Sequence, residues 1–234
     1  MNEKAVAIKR KTGLNAFVLK LIAAAAMLAD HVAYVFLDGN YAIRAFGRLA
    51  FPIFAFFVAE GYRHTKDVKR YALRMLIFAL IAQAPYVLAF GKPFYEPNVI
   101  FTLFLALLAI WAFDKGNEIV KISVLVGAGV LAEFTGSDHG AFGVVMVFLF
   151  FIGTDMKKKL MSAGILIFFV TVFAVIQLNA FDRYALMYLF YLLPLALIYF
   201  YNGKRGPHGF IPRWFFYIFY PLHLLIIALI NIFV

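Results

Sequence analysis

The sequence predicts an all-α fold, a polytopic transmembrane bundle of about nine helices, and three observations predict it. Of its 234 residues, 65% are hydrophobic and only 15% charged, too little polar surface to cover a water-soluble domain. Apolar stretches of about 20 residues, the length at which a helix spans a bilayer, recur along the whole chain. The basic residues, which bring the net charge to +10, are divided unevenly between the loops that alternate along those stretches. In a soluble protein that charge would point to nucleic acid; here it reports orientation, and no nucleic-acid partner is expected. The absence of cysteine excludes disulfides, thiolate nucleophiles, cysteine-based zinc sites and cysteine acylation.

Taken in order, residues 1–14 are basic and lead into a first span that ends at Leu37. That span is too long for a signal peptide and lacks a small-residue cleavage site, so it reads as the first transmembrane helix. Further spans are expected at 43–63, 72–91, 98–113, 118–134, 141–154, 160–179, 185–201 and 213–234, joined by loops of a few to about a dozen residues. Residues 118–134 include Lys121 and Glu133, and 141–154 is short for a hydrocarbon core of about 30 Å, so a re-entrant segment is expected at one of these two. No repeat, linker or low-complexity tract divides the chain, which reads as a single domain over 1–234.

With the N-terminus placed in the cytoplasm, the inner segments hold fifteen lysines and arginines, with blocks at 4–11, 63–70 and 157–159. The outer loops hold three, Arg44, Lys92 and Arg183. Such a split across short loops is a positive-inside signature and agrees with an odd helix number, placing the N-terminus in the cytoplasm and the C-terminus outside. The localisation expected is multi-pass, in the inner (cytoplasmic) membrane. The basic blocks are read first as topological, and second as ligands for an anion.

Ionisable groups inside the spans carry the functional signal, because each costs at least about 2.5–3.5 kcal/mol to insert unless it meets a partner or water. They are Asp30 and His31 in the first span, Arg48 and Glu60 in the second, and His223 in the ninth. Asp30 lies about 10 Å and Arg48 about 7 Å from the same end of two consecutive antiparallel helices, so the guanidinium can meet the carboxylate. That pair reads equally well as structural or functional. His31 points about 100° away from Asp30 round the helix, so the two line different sides of any shared pocket. His223 sits about 15 Å deep beside Pro221, whose missing N–H predicts a kink; a buried histidine bonded to a neighbouring helix is the plainer alternative. Glu60 precedes Arg63 and His64 by three and four residues, the spacing of a local helical ion pair. No HExxH or other metal-ligand spacing, Walker motif, GxGxxG or Gly-x-Ser-x-Gly occurs, and no metal is expected.

The runs Met27-Leu28-Ala29-Asp30-His31, Gly47-Arg48-Leu49-Ala50-Phe51-Pro52-Ile53-Phe54-Ala55-Phe56 and Glu60-Gly61-Tyr62-Arg63-His64-Thr65 resemble, in order and spacing, the TraX family of conjugal-pilin acetylases. The likeness continues through Tyr71 to Arg74, Gln83-Ala84-Pro85-Tyr86, Asn98 to Thr102, Gly140 to Gly143 and Trp214 to Leu224, and departs at 114–138 and 155–212. That family looks related to the integral membrane acyltransferases, in which an intramembrane histidine serves acyl transfer from a cytoplasmic coenzyme A thioester.

The resemblance implies transfer of an acetyl group from acetyl-CoA to an acceptor amine, the N-terminus of a pilin-like or other membrane or exported peptide. Such a reaction needs a base, and His31 with an unperturbed pKa near 6.5 suits that role, with His223 as a second base or an oxyanion donor. Asp30 and Arg48 would orient the amine and polarise the thioester. Arg63, His64, Lys66, Lys69, Arg70 and, deeper, Arg74 would hold the phosphates of coenzyme A. Thr102, Asn98, Tyr220 and Glu60 complete the expected substrate and oxyanion contacts. Direct transfer and an acetyl-histidine intermediate both fit. Two other readings remain: acyl transfer to a lipid or cell-wall sugar, and a small-solute or proton-coupled transporter, against which the lack of an inverted repeat counts.

Overall fold

Among the residues that the computed structural model describes, 13–177, 187–207 and 209–233, every named element is helical. The basic residues Lys4, Lys9, Arg10, Lys11 and Arg183 lie outside these residues. Helix α1 (Ala16–Phe36) begins at Asn15, whose side chain accepts from the Val18 N–H, the usual way of satisfying a first-turn donor. Its start is also tied down by backbone bonds from Ala16 and Phe17 to the carbonyls of Lys204 and Arg205.

The second expected span is broken. Helix α2 (Tyr41–Gly47) ends at Arg48, and α3 (Ala50–His64) starts two residues later. Pro52 supplies the reason: an unbroken helix would need its missing N–H to reach the Arg48 carbonyl, whereas in the first turn of a new helix that donor is not required. Asn117 caps a helix in the same way as Asn15, as does Asp67. They open α6 (Glu118–Phe134) and α4 (Val68–Phe90), the latter closed by Gly91 at φ +62°, a left-handed turn suited to glycine. Helix α5 (Val99–Lys115) lies between them, and α7 (Gly140–Ile152) and α8 (Met156–Gln177) follow. The eighth expected span consists, in its described part, of a 3-10 helix (Met187–Leu192) running into the short α9 (Leu193–Tyr199), with Pro194 in the first turn. The last helix, α10 (Phe210–Phe233), carries Pro221 internally.

Five of these segments are long and apolar enough to cross a membrane: α1, the α2–α3 stretch, α4, α8 and residues 214–233 of α10. The other four expected spans are helical but shorter. Helices α5 and α6 have 17 residues each, about 25 Å, and α7 has 13, about 20 Å. Large apolar side chains stand fully outward on the long helices and on α6, as with Leu80 at 65%, Phe169 at 64% and Phe134 at 89% exposure. Such faces are stable against lipid rather than water.

The chain forms two compact units, residues 1–54 with 152–216, and residues 55–151 with 217–234. The first contains α1, α2, α8, the 3-10 helix and α9, and its core includes Leu19, Ala23, Ala26, Ile167 and Ile198, all fully buried. The run of alanines in α1 keeps its buried face thin enough for close helix approach. The second contains α4 to α7 and is centred on Phe56, Leu107, Ile110, Met146 and Phe150, with the Phe56 and Phe150 rings meeting edge to face at 5.5 Å.

Candidate functional site

In the first unit, the α1–α2 corner gathers the charges. Arg48 Nη2 donates to both oxygens of Asp30, at 3.0 and 3.2 Å, forming the pair that the depth of the two residues predicts. Its Nε donates to the Arg44 carbonyl at 3.3 Å, and its Nη1 to the Tyr191 hydroxyl at 3.1 Å. Arg44, one helical turn before Arg48, places its own Nε 3.3 Å from Asp30 Oδ1 and its guanidinium over the Tyr34 ring at 4.9 Å. The three charged side chains are only 18–22% exposed, so one carboxylate is shared by two guanidinium groups away from bulk water. The local packing is set by Gly47: a Cβ there would stand 2.3 Å from Asp30 Cβ, so only glycine lets α2 lie this close to α1. His31 follows Asp30 on α1, partly buried.

In the second unit, Asn98, Thr102 and Tyr220 meet at the N-terminal turn of α5. Asn98 is fully buried and works as a cap: its Oδ1 accepts from Ile100, while its amide donates to Ala79 O and to Gln83 Oε1, each at 2.8 Å. With bonds from its amide to Ala79 and Gln83, Asn98 acts as a structural clasp between α4 and α5. The Thr102 hydroxyl lies 3.1 Å from Ser137 Oγ and also bonds the Asp138 carbonyl, tying α5 to the α6–α7 loop. Tyr220, buried on α10, lies near Val99 in that turn. His223, 5% exposed on α10, places Nδ1 2.7 Å from the Phe219 carbonyl and stacks on the Phe219 ring at 4.7 Å. Because a carbonyl only accepts, Nδ1 carries the proton, and in the neutral ring Nε2 is the basic nitrogen.

Glu60 does not join that group. Tyr62 donates to Asp114 at 2.8 Å, which puts the end of α3 at the far end of α5, about 24 Å along the helix from Asn98. Glu60 instead sits 3.5 Å from Arg63 and 4.0 Å from His64, whose Nδ1 is 2.8 Å from the Glu60 carbonyl. Arg63 also bonds the Phe151 carbonyl. The α3–α4 turn carries the remaining cations: Lys66 and Lys69 are exposed, and Arg70 pairs with the capping Asp67 at 3.0 Å. Arg74 is further along α4, over the Tyr71 ring at 5.9 Å and near Tyr217. The turn therefore presents a cationic rim, with Arg74 set apart from it. Among the described residues no three His, Asp or Glu side chains gather as a metal site.

Residues 16–231 match the family model described as TraX protein. The chain belongs to the TraX family. It is 29% identical to the probable fimbrial assembly protein FimC, serogroup H1, of Dichelobacter nodosus, across 97% of this chain and 99% of that one. Protein TraX of Escherichia coli is 24% identical, across 92% of this chain and 86% of its own length. No solved structure matches. The family and the five long apolar helices together mark an integral membrane protein.

Within this TraX-family chain, sequence reasoning missed two members of the charged corner. Arg44, an outer-loop residue by the charge reading, lies inside α2, and its spacing of four from Arg48, which puts both on one helix face, is the signal in the sequence. Tyr191 lies 143 residues from the arginine it meets, and nothing in the sequence marks it among thirteen tyrosines.

Proposed function

We propose that the protein is an acetyltransferase of the cytoplasmic membrane, with its N-terminus in the cytoplasm, that moves an acetyl group from acetyl-CoA to an amine of an acceptor peptide. The observation that carries the reading is the Asp30–Arg44–Arg48 corner beside His31, a costly charged constellation in a segment of the chain that otherwise suits lipid. Structure alone would let such a corner serve a transporter; the family match over 16–231 favours acyl transfer. The names of the relatives, one a fimbrial assembly protein, make a pilin-like or other exported peptide the acceptor of choice.

In the proposed reaction the acceptor nitrogen attacks the thioester carbonyl carbon, the C–S bond breaks, and the amine proton passes through His31 to the departing coenzyme A thiolate. Arg48 acts as a positioning residue, because Nε, Nη1 and Nη2 are all engaged in holding α2, Tyr191 and Asp30. His223, with Nδ1 fixed as donor, is the second candidate base. Lys66 and Lys69, with Arg63 and Arg70, offer the phosphate contacts for coenzyme A at the membrane surface.

The test is mass spectrometry of membrane and exported peptides from cells with and without the gene, together with transfer of labelled acetyl from acetyl-CoA by the purified protein. Acetylated amines that depend on the gene and on His31 support the reading. Acetyl groups found instead on lipid or glycan hydroxyls would move the activity to another acceptor, and an acetylome independent of the gene would remove it.

A further inference from the structure

Among the described residues the charges at the α1–α2 corner do not balance. Asp30 supplies one negative charge, and Arg44 and Arg48 supply two positive ones, all three side chains about four-fifths buried. The two arginines are also used differently. Arg48 has committed every one of its nitrogens, whereas Arg44 spends only Nε, on Asp30, and its Nη1 and Nη2 groups bond nothing among the described residues. Arg44 thus presents a planar edge of donors, with its guanidinium over the Tyr34 ring and its Nε on the Asp30 carboxylate. On the side of the α1–α2 loop that edge is neighboured by Gly39, at φ +67°, which has no side chain; its Cβ position is 4.0 Å from Arg44 Nη1. Asp38 on the same loop is exposed and forms no ion pair with Arg44.

We propose that Arg44 is a specificity residue that receives an anionic group of the acceptor, so that the preferred substrate is an amine carrying a carboxylate close to the reacting nitrogen. The inference rests on the proposed amine acceptor. A monoanion on the Nη edge brings the corner to neutrality, which matters most where water is scarce. The fork geometry fits a carboxylate through two parallel hydrogen bonds. A lipid phosphate is the poorer fit, because a guanidinium only 22% exposed suits a small planar group better than a branched headgroup.

The test uses the full chain purified in detergent and two short peptide amides, identical except for aspartate or asparagine at the second position. The aspartate peptide should raise Tm where the asparagine peptide does not, and in the transfer assay its KM should be about tenfold lower or more at similar kcat. Arg44→Gln should abolish both differences, and Asp38→Asn should leave both intact. Arg44→Lys, which keeps the charge but loses the fork, should shrink the preference and serves if Arg44→Gln does not accumulate. Equal stabilisation by the two peptides overturns the proposal, as does a preference that survives Arg44→Gln. So does a Tm rise produced by phosphatidylglycerol vesicles that Arg44→Gln removes while the peptides remain indistinguishable, which would assign the edge to lipid phosphate. A fall in kcat for both peptides alike at unchanged KM also overturns it, placing Arg44 in the chemistry instead. If the charge-dependent Tm rise is present but neither peptide is ever acetylated, the anion site stands and the acetyltransfer reading is what fails.

Discussion

At the α1–α2 corner one carboxylate, Asp30, serves two guanidinium groups fourteen and eighteen residues away, whereas at the α3–α4 turn Glu60 and Asp67 each serve cations three or four residues on. The corner is mostly shielded, while Arg70 at the turn is 82% exposed. Pairs of the second kind form as soon as a helix forms, are screened by salt, and contribute a few tenths of a kcal/mol each. A network of the first kind exists only when two helices and Tyr191 are in place, and removing one partner strands a charge at a cost of about 3–5 kcal/mol when burial is complete. The fixed geometry that chemistry needs is therefore expected at the corner, and an adaptable electrostatic surface at the turn.

The largest expected effect tests that division directly. His31→Ala should leave a folded protein and lower turnover by about 10²- to 10⁴-fold, the contribution of a positioned general base, with little change in the KM for acetyl-CoA. If His31→Ala retains near-normal transfer and His223→Ala abolishes it, the base belongs to the second unit and the corner is a scaffold. Next in size, Asp30→Asn should reduce both accumulation and activity, because it leaves Arg44 and Arg48 without their shared anion. Adding Arg48→Gln should restore accumulation only in part, and adding Arg44→Gln as well should restore it further without restoring transfer, as measured by membrane protein level and labelled acetyl transfer. Full recovery of activity in the neutral triple variant would make the network purely structural. Gly47→Ala should cost about 1–3 kcal/mol of stability by driving a methyl against Asp30 Cβ and Cγ, seen as a lowered Tm in detergent.

What the sequence made legible follows the same line between short-range and long-range causes. The positions of the helices were readable because apolar length is a local property, and so was the Asp30–Arg48 pair, because consecutive antiparallel helices bring known depths together. The break at Arg48 was written in Pro52 but was hidden by continuous hydrophobicity across 43–63. The clasp made by Asn98 was not legible, because a capping asparagine and a substrate-binding one look alike in sequence until the partners, Ala79 and Gln83, are seen. The Glu60–Arg63–His64 cluster was readable from spacings of three and four, whereas its distance from Asn98 and Thr102 along α5 follows only from the Tyr62–Asp114 bond. Tyr191 shows the limit most clearly, since its role exists only through a contact spanning most of the chain.

A smaller effect sharpens the comparison from the side of the turn. Lys66→Ala with Lys69→Ala removes two exposed cations that no helix needs for its own stability. Accumulation should be unchanged, and the KM for acetyl-CoA should rise several-fold at nearly constant kcat, because phosphate contacts made equally in ground and transition states are uniform binding. Raising the salt should mimic the substitution in the parent protein and have little further effect on the variant. An unchanged KM with normal protein levels would return the turn to a role in orientation alone.

The smallest effect concerns a cap of the same local type, at the start of α8. Asp155 accepts from the Lys158 N–H at 2.9 Å, and that bond, with the nearby lysine, holds its carboxyl below the ordinary value of 3.8. A carboxyl whose folded value is depressed stabilises the fold above its unfolded value and loses that contribution as pH falls through the folded one. No change in the first turn of α8 is therefore expected at neutral pH, and faster amide exchange at Lys158 should appear only below about pH 3.8. Asp155→Asn should cap nearly as well without the pH dependence, and Asp155→Ala should fray the turn at every pH. In all three proteins acetyl transfer at neutral pH should be the same, because a solvated cap touches neither Asp30 nor its arginines. A fall in transfer that tracked fraying at Lys158 would show that the corner and the local caps are coupled, and would erase the distinction between them.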